Sequence, residues 1–111
     1  MSAVIALYLP NLYFRPKVEL KVKEWGYEPV QIQIDTELLP ENTRLVLFDF
    51  NRPDEAKFGL FARLARPDVS FVAFGSHEDV ATFAWVKAHG GRMTANSSLF
   101  KLLAKELAPI H

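Results

Sequence analysis

One carboxylate stands out by its position, because Asp49 directly follows the apolar run Leu45 to Phe48. The run predicts a buried strand, and open α/β sheets bind their ligands in the crevice outside the carboxyl ends of the strands. A carboxylate at that place can attack an electrophile, bind a cation or accept hydrogen bonds from the next loop. Asn51 and Arg52 follow in the same loop. Asp49 is therefore the first candidate for function.

The absence of cysteine and the positions of the histidines and Ser76 exclude several kinds of site. The chain has no cysteine, which excludes disulfides, thiolate metal sites and cysteine nucleophiles. No histidine is paired with a carboxylate at a spacing of four residues, so His77 and His89 are interpreted as loop or helix-end residues rather than metal ligands. Ser76 lacks both a base and the sequence of a nucleophile elbow, which argues against a hydrolase.

The charge balance is neutral, with 13 lysine and arginine residues against 13 aspartate and glutamate residues in a chain of 111. Nucleic-acid binding needs a basic face that releases counterions, so we expect no nucleic-acid partner. The chain does not begin with a basic region followed by a long apolar segment, and no apolar run approaches the roughly 20 residues of a membrane span. We therefore expect a cytoplasmic protein without a membrane partner.

Strands are predicted by five segments rich in apolar residues, at Ala3 to Leu9, Pro29 to Ile34, Arg44 to Phe50, Val69 to Phe74 and Arg92 to Ala95. The second alternates, with Val30, Ile32 and Ile34 on one face, as in a half-buried edge strand. The third and fourth are apolar almost throughout, as in central parallel strands covered on both faces.

Helices are predicted between these strands, from Phe14 to Trp25, from Pro53-Asp54 to Pro67, from Glu78 to His89, and from a cap at Ser97 or Ser98 through Leu107. The polar segment 35–43 contains Pro40 and is expected to hold no more than a short helical turn. Strands that alternate with helices form a parallel sheet with right-handed crossovers and helices on both faces. We therefore predict one α/β domain over residues 1–111, a three-layer α/β/α sandwich.

This arrangement resembles the receiver domain of bacterial response regulators, the family that includes the chemotaxis regulators, over essentially the whole chain. Receivers carry a phospho-accepting aspartate at the end of the third strand, followed after an Asn-Met pair by a proline. Asp49, Asn51 and Pro53 match this motif, and Arg52 replaces the methionine. Ser76 stands where the family has its switch serine or threonine. The resemblance implies a flavodoxin-like fold, a five-stranded parallel sheet in the order 2-1-3-4-5.

Two features of the family are missing from this sequence. Receivers have a pair of acidic residues after the first strand, where this chain has Leu9-Pro10-Asn11. They also have a lysine after the fifth strand, where this chain has Ala95-Asn96-Ser97. The resemblance then implies a crevice at the strand ends, lined by Pro10, Asn11, Asn51, Arg52 and Asn96. The description that fits best is an atypical receiver, or pseudo-receiver.

The missing residues have a chemical consequence. Attack by Asp49 on a phosphoryl group brings two anions together, and a metal ion and a lysine normally neutralise that charge. Mg²⁺ would find Asp49 as its only carboxylate ligand, so we expect no cofactor and weak or absent phosphorylation. The alternative role for Asp49 is that of a strand-end carboxylate that accepts hydrogen bonds from the following loop.

Other residues near the crevice have open interpretations. Ser76 could bind a phosphoryl group on Asp49, but alone it is interpreted as the N-cap of the third long helix. Arg15 and Arg52 flank the predicted crevice and could bind an anion in place of the metal and the lysine. The alternative for both is ordinary surface pairing, with Glu19 or Asp54.

The third long helix predicts a contact surface. Phe83 and Trp85 are two residues apart on this helix, so one of the two rings is expected to be exposed. Receivers use this helix, the last strand and the last helix to bind a partner or to dimerise, and aromatic residues are enriched at binding hot spots. The alternative is partial burial of a large ring.

The sequence therefore predicts a stand-alone signalling module that acts through protein contacts and is not an enzyme. No output domain is expected after the final helix. One alternative is an active Mg²⁺-dependent phosphoacceptor. Another is a small-anion or ligand-binding flavodoxin-like protein, although the loop from Pro10 to Phe14 has no glycine to cradle a phosphate.

Overall fold

Five parallel strands form a single sheet in this computed structural model, which describes residues 3–107. The strands are β1 Val4–Tyr8, β2 Glu28–Gln31, β3 Thr43–Asp49, β4 Ser70–Gly75 and β5 Arg92–Ala95. Their order across the sheet is β2-β1-β3-β4-β5, which confirms the predicted order 2-1-3-4-5.

Four helices connect or follow these strands within residues 3–107. They are α1 Arg15–Glu24, α2 Glu55–Leu64, α3 Val80–Ala88 and α4 Leu99–Glu106, and a 3-10 turn, Asn96–Ser98, leads into α4. No helix in this described part is both long and apolar enough to cross a membrane. The helix positions agree with the predicted ones to within a few residues at each end.

The helices cover both faces of the sheet, and each face has its own apolar core. One core joins Val18 of α1 and Leu103 of α4 to the side of the sheet that carries Leu47. The other joins Phe61 of α2 and Val86 of α3 to the opposite side. Successive side chains of a strand point to opposite faces, so the continuous apolar runs supply both cores. The predicted three-layer sandwich is confirmed.

The segment after β2 differs from its prediction. β2 ends at Gln31, and Ile34, which was expected on its buried face, is 42% exposed. Residues 32–42 form turns and no helix, which is within the expectation of no more than a short helical turn. The side chain of Thr36 accepts a hydrogen bond from the backbone N–H of Gln33, at 2.8 Å, and Arg63 of α2 donates to the backbone oxygens of Ile34 and Thr36. These side-chain bonds satisfy backbone groups that a helix would otherwise have to satisfy.

Two predicted helix caps are also wrong. Helix α3 begins at Val80 and is capped by Asp79, whose carboxylate accepts hydrogen bonds from the backbone N–H and the hydroxyl of Thr82. Ser76 lies too far upstream to cap it. Helix α4 has no side-chain cap at Ser98, because the preceding 3-10 turn already pairs the backbone N–H of Leu99 with the oxygen of Asn96.

Candidate functional site

The carboxyl ends of the strands enclose a crevice beside Asp49, the last residue of β3. The cavity has a volume of about 400 Å³ and is lined by Pro10, Asn11, Asp49, Asn51, Arg52 and Lys57. Asp49 is only 3% exposed, at the floor of this space. Five of the six lining residues were expected here, Asp49 from its place at a strand end and the other four from the resemblance to receivers.

The loop after β3 holds the carboxylate of Asp49. One oxygen, Oδ1, accepts hydrogen bonds from the backbone N–H of Asn51 at 2.9 Å and from its side-chain Nδ2 at 2.8 Å. The backbone N–H of Phe50 donates to the oxygen of Phe74 in β4, at 2.9 Å, and fastens the start of the loop to the sheet. A buried carboxylate needs such donors, so the loop conformation and the charge of Asp49 support each other.

Asn51 is itself held by Asn96, at the end of β5. Asn51 Nδ2 donates to Asn96 Oδ1 at 2.9 Å, and Asn96 Nδ2 donates to Asn51 Oδ1 at 2.7 Å. The two side-chain amides therefore form a reciprocal pair between residues that are 45 positions apart. Asn96 was predicted as a crevice residue, but it acts from behind Asn51 and does not line the cavity.

The opposite wall, formed by Pro10 and Asn11, offers little to a metal ion. The side-chain oxygen of Asn11 accepts a hydrogen bond from the backbone N–H of Tyr13 at 2.8 Å, which commits it to the local turn. Asp49 is the single carboxylate that lines the cavity, and residues 3–107 contain no cluster of three or more potential metal-ligating side chains. Mg²⁺ is usually bound through one or two carboxylates together with waters and phosphate oxygens, and Asp49 is the one carboxylate that these lining residues offer it.

Lys57 lines the crevice and was missed by the sequence reasoning. It lies in the first turn of α2, where its backbone N–H donates to Asp54 and its Nζ donates to the oxygen of Arg52 at 2.5 Å. The signal was present in the sequence. Pro53-Asp54 marks the start of the helix, so a lysine three residues beyond the cap lies within one helical turn of the loop that carries Asp49.

The two arginines proposed as anion-binding residues lie in different places. Arg52 lines the crevice, but Arg15 donates from Nε and one terminal nitrogen to the oxygen of Leu9, at 3.1 and 3.0 Å. Arg15 lies in a neighbouring cavity between the ends of β1 and β2, so the prediction that both flank one crevice is wrong. Within residues 3–107 neither arginine forms an ion pair, including those suggested with Glu19 and Asp54.

Ser76 follows β4 at the same edge of the sheet but does not line the cavity. Its hydroxyl oxygen accepts a hydrogen bond of 3.3 Å from the backbone N–H of Glu78. The preceding residue, Gly75, is in close contact with the loop after Asp49. A Cβ atom there would lie 3.1 Å from the oxygen of Phe50 and 2.8 Å from the end of the Met93 side chain. A side chain at this position would therefore require the end of Met93 to move and the loop to shift by a few tenths of an ångström.

Tyr8, at the end of β1, is a further titratable group beside the crevice. Burial raises the pKa of its hydroxyl above the ordinary value, and the carboxylates of Asp54 and Asp49 raise it further. Its ring packs against Phe48 at a centroid distance of 4.6 Å. The neutral phenol is therefore the form that this environment favours.

The two aromatic residues of α3 have different surroundings. Trp85 packs inward, with its ring 4.5 Å from that of Phe58 and 6.0 Å from that of Phe50, and it stacks on His89 at 3.9 Å. Phe83 is partly buried and makes no ring contact within the described residues 3–107. Both rings are partly buried, so the prediction that one is exposed is wrong and the alternative of partial burial holds. Of the two, Phe83 lines the outer groove between α3 and β5.

No family model matches the chain, and no curated protein matches it either. Among solved structures, it superimposes on the signal receiver domain of a protein assigned as a Luxo repressor from Vibrio parahaemolyticus, with a TM-score of 0.71 and 14% identity, covering 96% of this chain and 91% of that one.

A second neighbour is a response regulator receiver protein from Burkholderia phymatum. It has a TM-score of 0.71 and 16% identity, with 97% of each chain covered. This is a receiver fold. At such low identity the likeness establishes the architecture, and the function has to be argued from the crevice and the surface.

Proposed function

We propose that this chain is an atypical receiver-like signalling module that acts through protein contacts, with phosphorylation at Asp49 weak or absent. On this proposal the protein is cytoplasmic, is not an enzyme, carries no cofactor, and has neither nucleic acid nor a membrane as its partner. The observation that carries the proposal is the crevice around Asp49. It holds a buried carboxylate at the strand end where receivers carry their phosphoacceptor, and no second carboxylate is among its lining residues.

The hydrogen bonds around Asp49 support weak reactivity. Two N–H groups that would be needed to bind a phosphoryl group already donate to the unmodified carboxylate of Asp49. Both belong to Asn51, whose backbone and side-chain N–H groups donate to Oδ1. Catalysis of phosphoryl transfer depends on charges placed for the transition state. At the end of β5, Asn96 holds Asn51 with a neutral amide where receivers have a cation. A Mg²⁺-dependent phosphoacceptor is therefore the weaker candidate.

The groove between α3 and β5 supports the proposed protein contacts. It has a volume of about 500 Å³ and is lined by Val80, Phe83, Ala84, Lys87, Gly91, Arg92 and Met93. Val80 is 73% exposed, and the Phe83 ring lies beside it without a ring partner of its own among residues 3–107. Arg92 forms an ion pair with Glu106, which ties α4 to the same surface. Apolar and aromatic side chains with basic residues at the rim are typical of a protein-binding patch.

Intact mass spectrometry tests the reactivity of Asp49. The protein is incubated with Mg²⁺ and acetyl phosphate, with Asp49→Asn alongside and folding confirmed by circular dichroism. We expect no phosphate-sized gain in the wild type. A gain that vanishes in Asp49→Asn would instead show a working phosphoacceptor and would overturn the proposal that phosphorylation is weak or absent.

A further inference from the structure

The crevice beside Asp49 has an unusual charge pattern. Its six lining residues include two cations, Arg52 and Lys57, and one anion, Asp49. Both cations lie on the wall formed by the β3–α2 loop and the first turn of α2, whereas the facing wall of Pro10 and Asn11 is uncharged. A cavity with this balance opposes the entry of a metal dication and favours an anion.

Both cations have hydrogen-bond donors to spare. The ammonium group of Lys57 donates one hydrogen bond, to the oxygen of Arg52, which leaves two N–H groups for a ligand. The guanidinium group of Arg52 makes no hydrogen bond and no ion pair within residues 3–107. Cations are often paired with carboxylates on protein surfaces, so two unpaired ones at the same cavity form a ready set of donors.

The charge of Asp49 works against an anion but is partly offset. Its Oδ1 atom already accepts two hydrogen bonds from Asn51, and its side chain is at the floor of the cavity. An anion held by Lys57 and Arg52 therefore binds on the cationic wall. The remaining repulsion from Asp49 weakens this binding without preventing it.

The geometry points to a metal-independent binding site for a small tetrahedral oxyanion, such as phosphate, with Lys57 and Arg52 as its ligands. Reversible occupancy of this site would be the input of the module in place of phosphorylation. This role as an input rests on the proposed function, but the binding itself does not, because it requires neither a reactive Asp49 nor a partner on the α3–β5 groove.

The test is a titration of inorganic phosphate into ¹⁵N-labelled protein, followed by NMR at constant ionic strength with excess EDTA. We expect the backbone signals of Asn51, Arg52 and Lys57 to shift together. Lys57→Gln is expected to weaken binding about tenfold, because it removes a charge-assisted hydrogen bond. Arg52→Gln should also weaken phosphate binding. The control is Lys101→Gln, an exposed lysine on α4, which should leave the dissociation constant unchanged.

The Asp49→Asn variant distinguishes direct binding of the anion to Lys57 and Arg52 from binding through a metal ion. If the anion binds to Lys57 and Arg52, removal of the nearby negative charge tightens binding. If the anion is held through a metal on Asp49, the same substitution and EDTA both abolish it. Binding lost in EDTA, binding weakened in Asp49→Asn, or equal binding in wild type and Lys57→Gln would each overturn the inference. None of these results would affect the partner surface, which depends on Phe83.

Discussion

At the scale of single residues, the reciprocal amide pair explains how the carboxylate of Asp49 is stabilised although it is almost fully buried. Asp49 depends on Asn51, and Asn51 depends on Asn96. The arrangement is directional, because Asn51 alone among residues 3–107 donates hydrogen bonds to the carboxylate of Asp49. Removal of the two amides should therefore have unequal consequences, although both make good hydrogen bonds.

Asn51→Ala is predicted to destabilise the fold by about 2 kcal/mol, since a buried charged acceptor loses one of its donors. Asn96→Ala should cost only about 1 kcal/mol, because the two bonds that it removes join neutral, part-buried groups. Urea denaturation at neutral pH measures both free energies of unfolding. An equal loss in the two variants, or a larger loss in Asn96→Ala, would contradict the hierarchy.

Tyr8 gives a prediction for alkaline pH. The raised pKa of its hydroxyl, caused first by burial and then by Asp54 and Asp49, means that the folded state disfavours the phenolate. The stabilisation is complete below the unfolded-state pKa of about 10 and is lost as pH rises through the higher folded-state pKa. As pH rises from about 9 to about 11, the free energy of unfolding measured in urea should therefore fall less for Tyr8→Phe than for the wild type. Tyr13→Phe, at an exposed tyrosine, is the control and should behave as the wild type does.

The crevice also shows what residue-level reasoning can reach. The apolar run before Asp49 was enough to predict its position, and the resemblance to receivers implied Pro10, Asn11 and Arg52 beside it. The bond between Asn51 and Asn96 was beyond prediction, because it depends on the register of β5 relative to β3 through β4. The predicted position of Arg15 was wrong because nothing in the neighbouring sequence indicated that its guanidinium group would donate to the backbone oxygen of Leu9.

At the scale of elements, hydrophobic patterning predicted the strands and helices that bury a face. It failed where side-chain hydrogen bonds determine the backbone path. Residues 32–42 bury little and are held by Thr36 and Arg63, so their periodicity carried no signal. The start of α3 was misjudged for a related reason. Ser76 and Asp79 are both good N-cap residues, and the choice between them depends on which one reaches Thr82.

The cap of α3 is open to a matched comparison. Asp79→Ala is predicted to lower the free energy of unfolding by about 1–2 kcal/mol, because α3 loses its N-cap and the buried hydroxyl of Thr82 loses its acceptor. Ser76→Ala removes a single long hydrogen bond on the surface and should cost less than about 0.5 kcal/mol. Thermal unfolding followed by circular dichroism compares the two. A larger effect of Ser76→Ala would restore that residue as the functional cap.

At the scale of the whole molecule, the sheet separates two apolar cores, each packed against a different pair of helices. The tryptophans report this division, since Trp25 packs on the core that contains α1 and α4, and Trp85 packs on the core that contains α2 and α3. Phe50 directly follows Asp49 and its ring meets Trp85, so the crevice is joined by aromatic contacts to the helix that carries Phe83. A change at the crevice therefore has a packed route to the α3–β5 groove and none of this kind to Trp25 among residues 3–107.

The groove gives the last prediction, which concerns assembly. A twofold dimer brings the same patch of each subunit together, and an apolar groove with exposed Val80 and partly buried Phe83 is suited to such self-pairing. We expect concentration-dependent dimers in sedimentation equilibrium and a shift to monomers in Phe83→Ser. Leu38→Ser is the matched control, because Leu38 is 84% exposed on the loop after β2, away from the groove. A wild type that stays monomeric at high micromolar concentration would exclude the homodimer, and the groove would then have to serve a different protein. Equal dissociation in both variants would show that the loss of exposed apolar area, rather than the groove, controls association.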